Sequence, residues 1–291
     1  METVRPCGCK GIRTCLICEA EFDILKPDLA SDLKKCQSYV YCPLCEKSWP
    51  GWDMNWYKQH PNHPGTPIDF PGVYIQLDFL KHHELQLLIK DLDSLPWDIS
   101  QSGRRKQNYG PKTNFKKKKL RIGNFNGFPR NTKFVQEKLN EVKELEKFQT
   151  IEQCSLEYDP KRGASIDPHI DDCWIWGERI VTVNVLGDSA LTMVPYRGNS
   201  EKYNLSYVEN FKDTKLPEKD IVVRLPMPEG SLMVLYGAAR YKWEHAVLRE
   251  DVSSRRVCLA YREFTKPYLP DSKGNCSNES LEILEKAKKF W

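Results

Sequence analysis

From residue 151 onward the chain alternates apolar and polar positions, or runs apolar for four to eight residues, and then breaks at glycine or proline. Residues 153–158, 179–186, 190–194, 221–225, 231–236 and 257–261 read as strands on this pattern. Gly187-Asp188, Pro228-Glu229-Gly230 and Gly237 mark turns between them. Upstream, residues 72–78 alternate as another strand would. Asp78 is the expected N-cap of a helix over 79–93, with Leu85, Leu88, Ile89 and Leu92 on one face and Pro96 as its stop. Residues 133–148 place Phe134, Leu139, Val142 and Leu145 at helical spacing, and 279–290 form a terminal amphipathic helix. Residues 197–219 are polar and read as a loop. Many short strands with few helices predict a mainly β chain with flanking helices (α+β). The expected core is a jelly roll whose two sheets can hold a metal in their mouth.

Residues 1–66 break the pattern. They hold seven of the 11 cysteines, three of the eight tryptophans and many prolines. The expected organisation is therefore a Cys-rich module over 1–66 and a helical extension with a basic lid over 67–150. A core over 151–266 and a tail helix over 267–291 follow. Cys7 and Cys9, followed by Cys15 and Cys18, give a CxC plus CxxC set, which can grip one tetrahedral zinc through four thiolates. Cys42 and Cys45 with His60 and His63 form a second candidate, whose HxxH half is tighter than usual finger spacing.

Composition changes the picture only in places. With 291 residues, 40% hydrophobic and 29% charged, the chain is expected to be one large domain, or one plus a small module. No apolar run approaches a membrane span and the first residues lack the apolar region of a signal peptide, so an intracellular protein with reduced cysteines is expected. The net charge of +4 is too small to demand nucleic acid. Its local concentration over 104–121 matters more. There Arg104, Arg105, Lys106 and Lys112 are interleaved with Tyr109 and Phe115, a combination suited to phosphates and stacked bases. A solvated lid, or a surface that meets an acidic protein, fits the same residues.

The candidate chemistry lies in Asp167-Pro168-His169-Ile170-Asp171-Asp172 and in His245. HxD at the exit of a strand turns an imidazole and a carboxylate to one side. With one later histidine it makes a 2-His-1-carboxylate facial triad, which holds Fe(II) on one face and leaves the other open. Arg256 and Arg262 follow at a fixed spacing, and a forked guanidinium is the cation that a dicarboxylic co-substrate needs.

The run from Tyr158 through the HxD, His245 and the RxxxxxR segment resembles the AlkB family of Fe(II)/2-oxoglutarate dioxygenases. CGCKGIRTCLIC at 7–18, SGRRKQNYGPK at 102–112 and IDPHIDDCWIWGERI at 166–180 resemble one animal branch of it. The resemblance implies a double-stranded β-helix core with His169, Asp171 and His245 on iron. Arg256 is implied to pair with the distal carboxylate of 2-oxoglutarate, Arg262 to lie near its keto-acid end, and Tyr158 to touch it. Leu156 stands where the founding bacterial enzyme has asparagine. Trp174, Trp176 and Glu178 are expected to shape the pocket, the tryptophans equally as core packing. The implied cofactors are Fe(II), 2-oxoglutarate and O2. The implied reaction is oxidative N-demethylation with release of formaldehyde. The implied substrate is a monomethylated lysine of actin, with control of actomyosin, or alternatively N6-methyladenine in DNA. A third reading, from a different class, is a zinc-bearing interaction module with an auxiliary core. A monomer in cytoplasm and nucleus, with no membrane contact, completes the expectation.

Overall fold

Residues 5–208 and 220–291 are described by the computed structural model. Their strands gather into two seven-stranded sheets and one small hairpin. In spatial order the first sheet contains Ile166–His169, Trp243–Val247, Ser189–Pro195, Ile221–Met227, Gln37–Cys42, Lys47–Pro50 and Ile68–Asp69. The second contains Val73–Gln76, Leu232–Leu235, Trp176–Leu186, Arg256–Phe264, Glu152–Tyr158, Arg105–Tyr109 and Asp98–Ile99. All neighbours pair antiparallel except Gln37–Cys42, which runs parallel to Ile221–Met227. This is the mainly β jelly roll that the pattern predicts.

The sheets face each other across one apolar cluster. The first contributes Met193, Val223, Leu225 and Trp243, and the second Ile180, Met233, Leu235 and Phe264. Val181, Val183, Val257 and Leu259 point to the opposite face of the second sheet, where helices cover them. Both faces of that sheet are therefore buried, which is why its central strands read as apolar runs.

The covering helices are shorter than the periodicity suggests. The first is His82–Asp93, and Glu84 Oε2 accepts the Lys81 backbone N–H at its start, at 2.7 Å. Asp78 sits at φ 53, a left-handed conformation, and does not cap it. Leu85, Leu88 and Leu92 are buried. An isolated helix of this length is marginal in water, so burial of these leucines, about 1.5–3 kcal/mol each, holds it in place. The second helix spans Lys133–Leu139 and gives way to a 3-10 turn at Lys143–Leu145. The terminal helix is Asn278–Lys286. The polar stretch expected as a loop keeps a 3-10 turn at Leu205–Tyr207, and its positions 209–219 lie outside the described residues. No helix among the described residues is long and apolar enough to cross a membrane.

The Cys-rich region does not end where a boundary at residue 66 would place it. Its three strands extend the first sheet, with Gln37 to Val40 in register with Ile221 to Arg224. Trp52 then lies over Arg224 at 4.3 Å. Beneath it, Arg224 donates to both oxygens of Asp251, at 2.5 and 3.0 Å, with both side chains buried. Removing one partner of such a pair strands a charge, whereas replacing both with apolar residues does not. Arg224→Met alone is expected to lower unfolding free energy by about 3–5 kcal/mol, and Arg224→Met with Asp251→Leu to recover most of it. Urea melts of the two variants check this, and equal losses in both would contradict it.

Candidate active site

The two candidate histidines come from adjacent strands at one edge of the first sheet. His169 ends Ile166–His169 and stands directly opposite His245 in Trp243–Val247. Trp243 and Val247 face the interior cluster, and the two-residue period turns His245 the same way. The two rings lie 4.2 Å apart, centre to centre. His169 Nδ1 is 2.9 Å from the Asp167 carbonyl oxygen, which can only accept. Nδ1 therefore carries the proton and Nε2 keeps its lone pair. Burial holds both histidines below their ordinary pKa, and His245 is lowered further by its neighbour His169. Both are neutral at neutral pH, the form that ligates metals.

Asp171 follows the strand in a buried turn. Burial opposes its ionisation, yet the Arg262 guanidinium holds its carboxyl well below the usual carboxylate range. Oδ1 accepts from Arg262 Nη2 at 3.0 Å, while Oδ2 is buried with no partner. Arg262 also donates to Glu152 at 2.7 Å and lies over Trp176. Among the described residues, the groups whose ligand atoms all lie within 4.8 Å of one another are Cys7, Cys9, Cys15 and Cys18, and Cys42, Cys45, His60 and His63. The His169–Asp171–His245 set is looser than these, with one Asp171 oxygen drawn to Arg262.

Arg256 lies deeper, between the sheets, and is 1% exposed. Asn184 Oδ1 accepts from its Nε at 3.0 Å, Met227 Sδ lies 3.5 Å from Nη2, and the Tyr158 ring lies 4.8 Å from its guanidinium. Nη1 is buried without a partner. No carboxylate pairs with this cation among the described residues. A buried charge without a counter-charge is costly.

The basic stretch divides into three parts. Arg105 forks onto Glu157 inside the second sheet, beside Arg255, and is therefore a structural ion pair and not a free phosphate ligand. Arg104 and Lys106 face the interior: Arg104 lies 5.9 Å over the Tyr158 ring, and both act on Cys154 beside Arg262. Tyr109 and Lys112 line a separate cavity of about 450 Å³ with Trp291. The exposed lysines 116–119 top the Lys112–Asn114 and Lys119–Arg121 hairpin, and Lys118 reaches over the Tyr207 ring at 4.9 Å.

Trp174 and Trp176 are core residues, and Glu178 is exposed, accepting the Gly237 N–H at 2.7 Å. Leu156 packs at the edge of the core cluster. Two residues that the motifs miss shape the site. Asn184 orients Arg256; its only sequence signal is a lone amide inside an apolar strand. Arg240, 2% exposed, donates to the carbonyl oxygens of Asp171 at 2.9 Å and of Trp176 at 3.2 Å, fixing the turn that carries the carboxylate.

No family model matches the chain. Individual proteins do. A mouse protein named alpha-ketoglutarate-dependent dioxygenase alkB homolog 4 is 37% identical across 100% of this chain and 96% of its own length. The human protein of the same name is 38% identical across 99% and 95%. A Caenorhabditis elegans protein named DNA N6-methyl adenine demethylase is 31% identical across 90% and 88%. With these full-length similarities, on a jelly roll that brings HxD, a second histidine and a buried arginine together, the chain belongs to the AlkB family of alpha-ketoglutarate-dependent dioxygenases.

Proposed function

We propose that His169, Asp171 and His245 bind Fe(II), that Arg256 binds the distal carboxylate of 2-oxoglutarate, and that the chain removes an N-linked methyl group oxidatively. The observation that carries this reading is the buried Arg256 guanidinium, with Nη1 unbonded and no carboxylate paired with it among the described residues. Its fork suits a carboxylate bidentately. The donor set of the triad fits a divalent metal: two neutral imidazoles and a carboxylate oxygen with no other partner.

Bound there, iron with 2-oxoglutarate and O2 supplies the oxidation of a methyl C–H bond. The chain's own residues have simpler tasks. The Asp167 carbonyl fixes the His169 tautomer, and Arg240 holds the Asp171 turn. Arg262, shared with Glu152, keeps Asp171 ionised and would serve the keto-acid end of the co-substrate. Tyr158 walls the pocket between Arg104 and Arg256.

For the substrate, the sequence resemblance favours a monomethylated lysine of actin. The name of the worm relative is the observation in favour of N6-methyladenine in DNA. The exposed lysine hairpin suits an acidic protein surface and a phosphate backbone alike. We also place a zinc ion at Cys7, Cys9, Cys15 and Cys18. All four are buried, and Cys15 and Cys18 have sulfurs 3.9 Å apart. That is far from a disulfide bond and matches a tetrahedral S–S edge of about 3.8 Å around zinc. Arg249 links this knuckle to the turn before Ile166–His169, bonding Glu19 at 2.8 Å and the Gly163 carbonyl at 3.0 Å.

Succinate release is expected with a monomethyl-lysine actin substrate and is expected to vanish, together with bound iron, in His169→Ala. Turnover only on a methyl-adenine oligomer, declining steeply as salt rises, would assign the substrate to DNA instead. Arg256→Lys keeps the charge but loses the fork. A hydrogen bond to a charged group is worth about 1.5–3 kcal/mol, so the KM for 2-oxoglutarate should rise roughly ten- to hundredfold with iron binding retained. An unchanged KM would remove Arg256 from the co-substrate site.

A further inference from the structure

The chain has six histidines, and two of them serve neither the candidate iron site nor a helix surface. His60 and His63 converge with Cys42 and Cys45, with one ligand atom of each side chain within 4.8 Å of the other three. Local folding brings this about. Cys42 ends the Gln37–Cys42 strand, and the chain turns back at once into Lys47–Pro50. Glu46, in a left-handed conformation at φ 56, donates its N–H to the Cys42 carbonyl at 2.8 Å, which closes a knuckle around Cys42 and Cys45. Asp53 caps the 3-10 helix Met54–Gln59, and His60 follows directly. The Asn62 N–H bonds the Gln59 carbonyl at 2.7 Å and curls His63 back beside His60.

We propose that Cys42, Cys45, His60 and His63 bind one zinc ion, separate from the four-cysteine set. Three observations carry the proposal. Both ring nitrogens of His63 are shielded from water and have no hydrogen-bond partner among the described residues. An imidazole left so forfeits the hydrogen bonds that both nitrogens make in water, and a metal makes good that loss at one nitrogen. Cys42 Sγ lies 3.9 Å from His60 Nδ1, near the S–N edge of about 3.6 Å expected around tetrahedral zinc. Trp49 stacks on the His63 ring at 4.9 Å and donates its indole N–H to Cys45 Sγ at 3.4 Å. That bond orients the sulfur, as outer partners of metal ligands do.

Two sulfurs and two imidazoles in a compact set select zinc over hard cations. Four protein ligands leave no open position, so the ion is structural. It ties the hairpin that extends the first sheet to the turn that follows it. Trp52, between them, is the residue that covers the buried Arg224.

The test is zinc content per chain in the His169→Ala background, where zinc at the iron site is not counted. Two zinc ions are expected. Adding Cys42→Ser or His63→Ala should leave one, and adding Cys9→Ser should independently remove the other. His63→Cys preserves a ligand and should keep both. Zinc X-ray absorption on the background chain needs no unstable variant: an average shell of about three sulfurs and one nitrogen per zinc is expected from one S₄ and one S₂N₂ site. A count that does not change with Cys42→Ser, or an all-sulfur shell, overturns the proposal.

Discussion

Arg256 carries a full positive charge between two apolar sheets, and the architecture around it follows from that fact. A guanidinium in such a place must be satisfied or it destabilises the fold. Asn184 and Met227 take two of its directions, Tyr158 lies against its face, and one nitrogen stays uncommitted. Each of these contacts comes from a different strand. Asn184 is on Trp176–Leu186, Met227 on Ile221–Met227 and Tyr158 on Glu152–Tyr158. The cation can be held only if both sheets are in register, so the sandwich and its pocket are specified together.

A second layer of arginines does different work. Among the described residues Arg240 has no acid as a hydrogen-bond partner and binds backbone carbonyls, a fixed scaffold for the turn that carries Asp171. Arg262 divides its fork between Asp171 and Glu152. Arg105 and Arg255 converge on Glu157 on the far face of the sheet. Residues of one type thus stand as an unpaired buried cation, a carbonyl clamp and structural ion pairs. Burial and partners separate these roles, which a count of basic residues cannot.

Much of this was legible in the sequence. Six of the strands after residue 151 fall within a few residues of where alternation places them, because each buries at least one face; Ile166–His169 and Trp243–Val247, which carry the two histidines, escape that pattern. HxD, the later histidine and the arginine pair stand out because the chemistry allows few substitutes. The helices were less legible. Phe79 and Leu80 fit a helical period but are buried ahead of the helix, after a residue at positive φ. Val142, Leu145 and Phe148, three apart, suit a 3-10 turn as well as an α-helix, and the chain takes the former near Leu145. The strand Gln37–Cys42 was hidden, since its partner lies at Ile221–Met227 and its cysteines suggested a detached module. Asn184 and Arg240 act through neighbours that only the tertiary structure supplies.

The opposed pair His169 and His245 has a further consequence. Ile166–His169 is a four-residue edge strand, paired to its neighbour at Ile166–Val247 and His169–His245 with an irregularity between. So short an edge frays readily. An ion bridging the two imidazoles would act as a staple across the rungs of the ladder. Side chains alternate between faces, so slippage by one position would turn His169 away and break the staple. Affinity for such an ion would therefore also gauge strand alignment, and a loaded chain should open at this edge more slowly than an empty one.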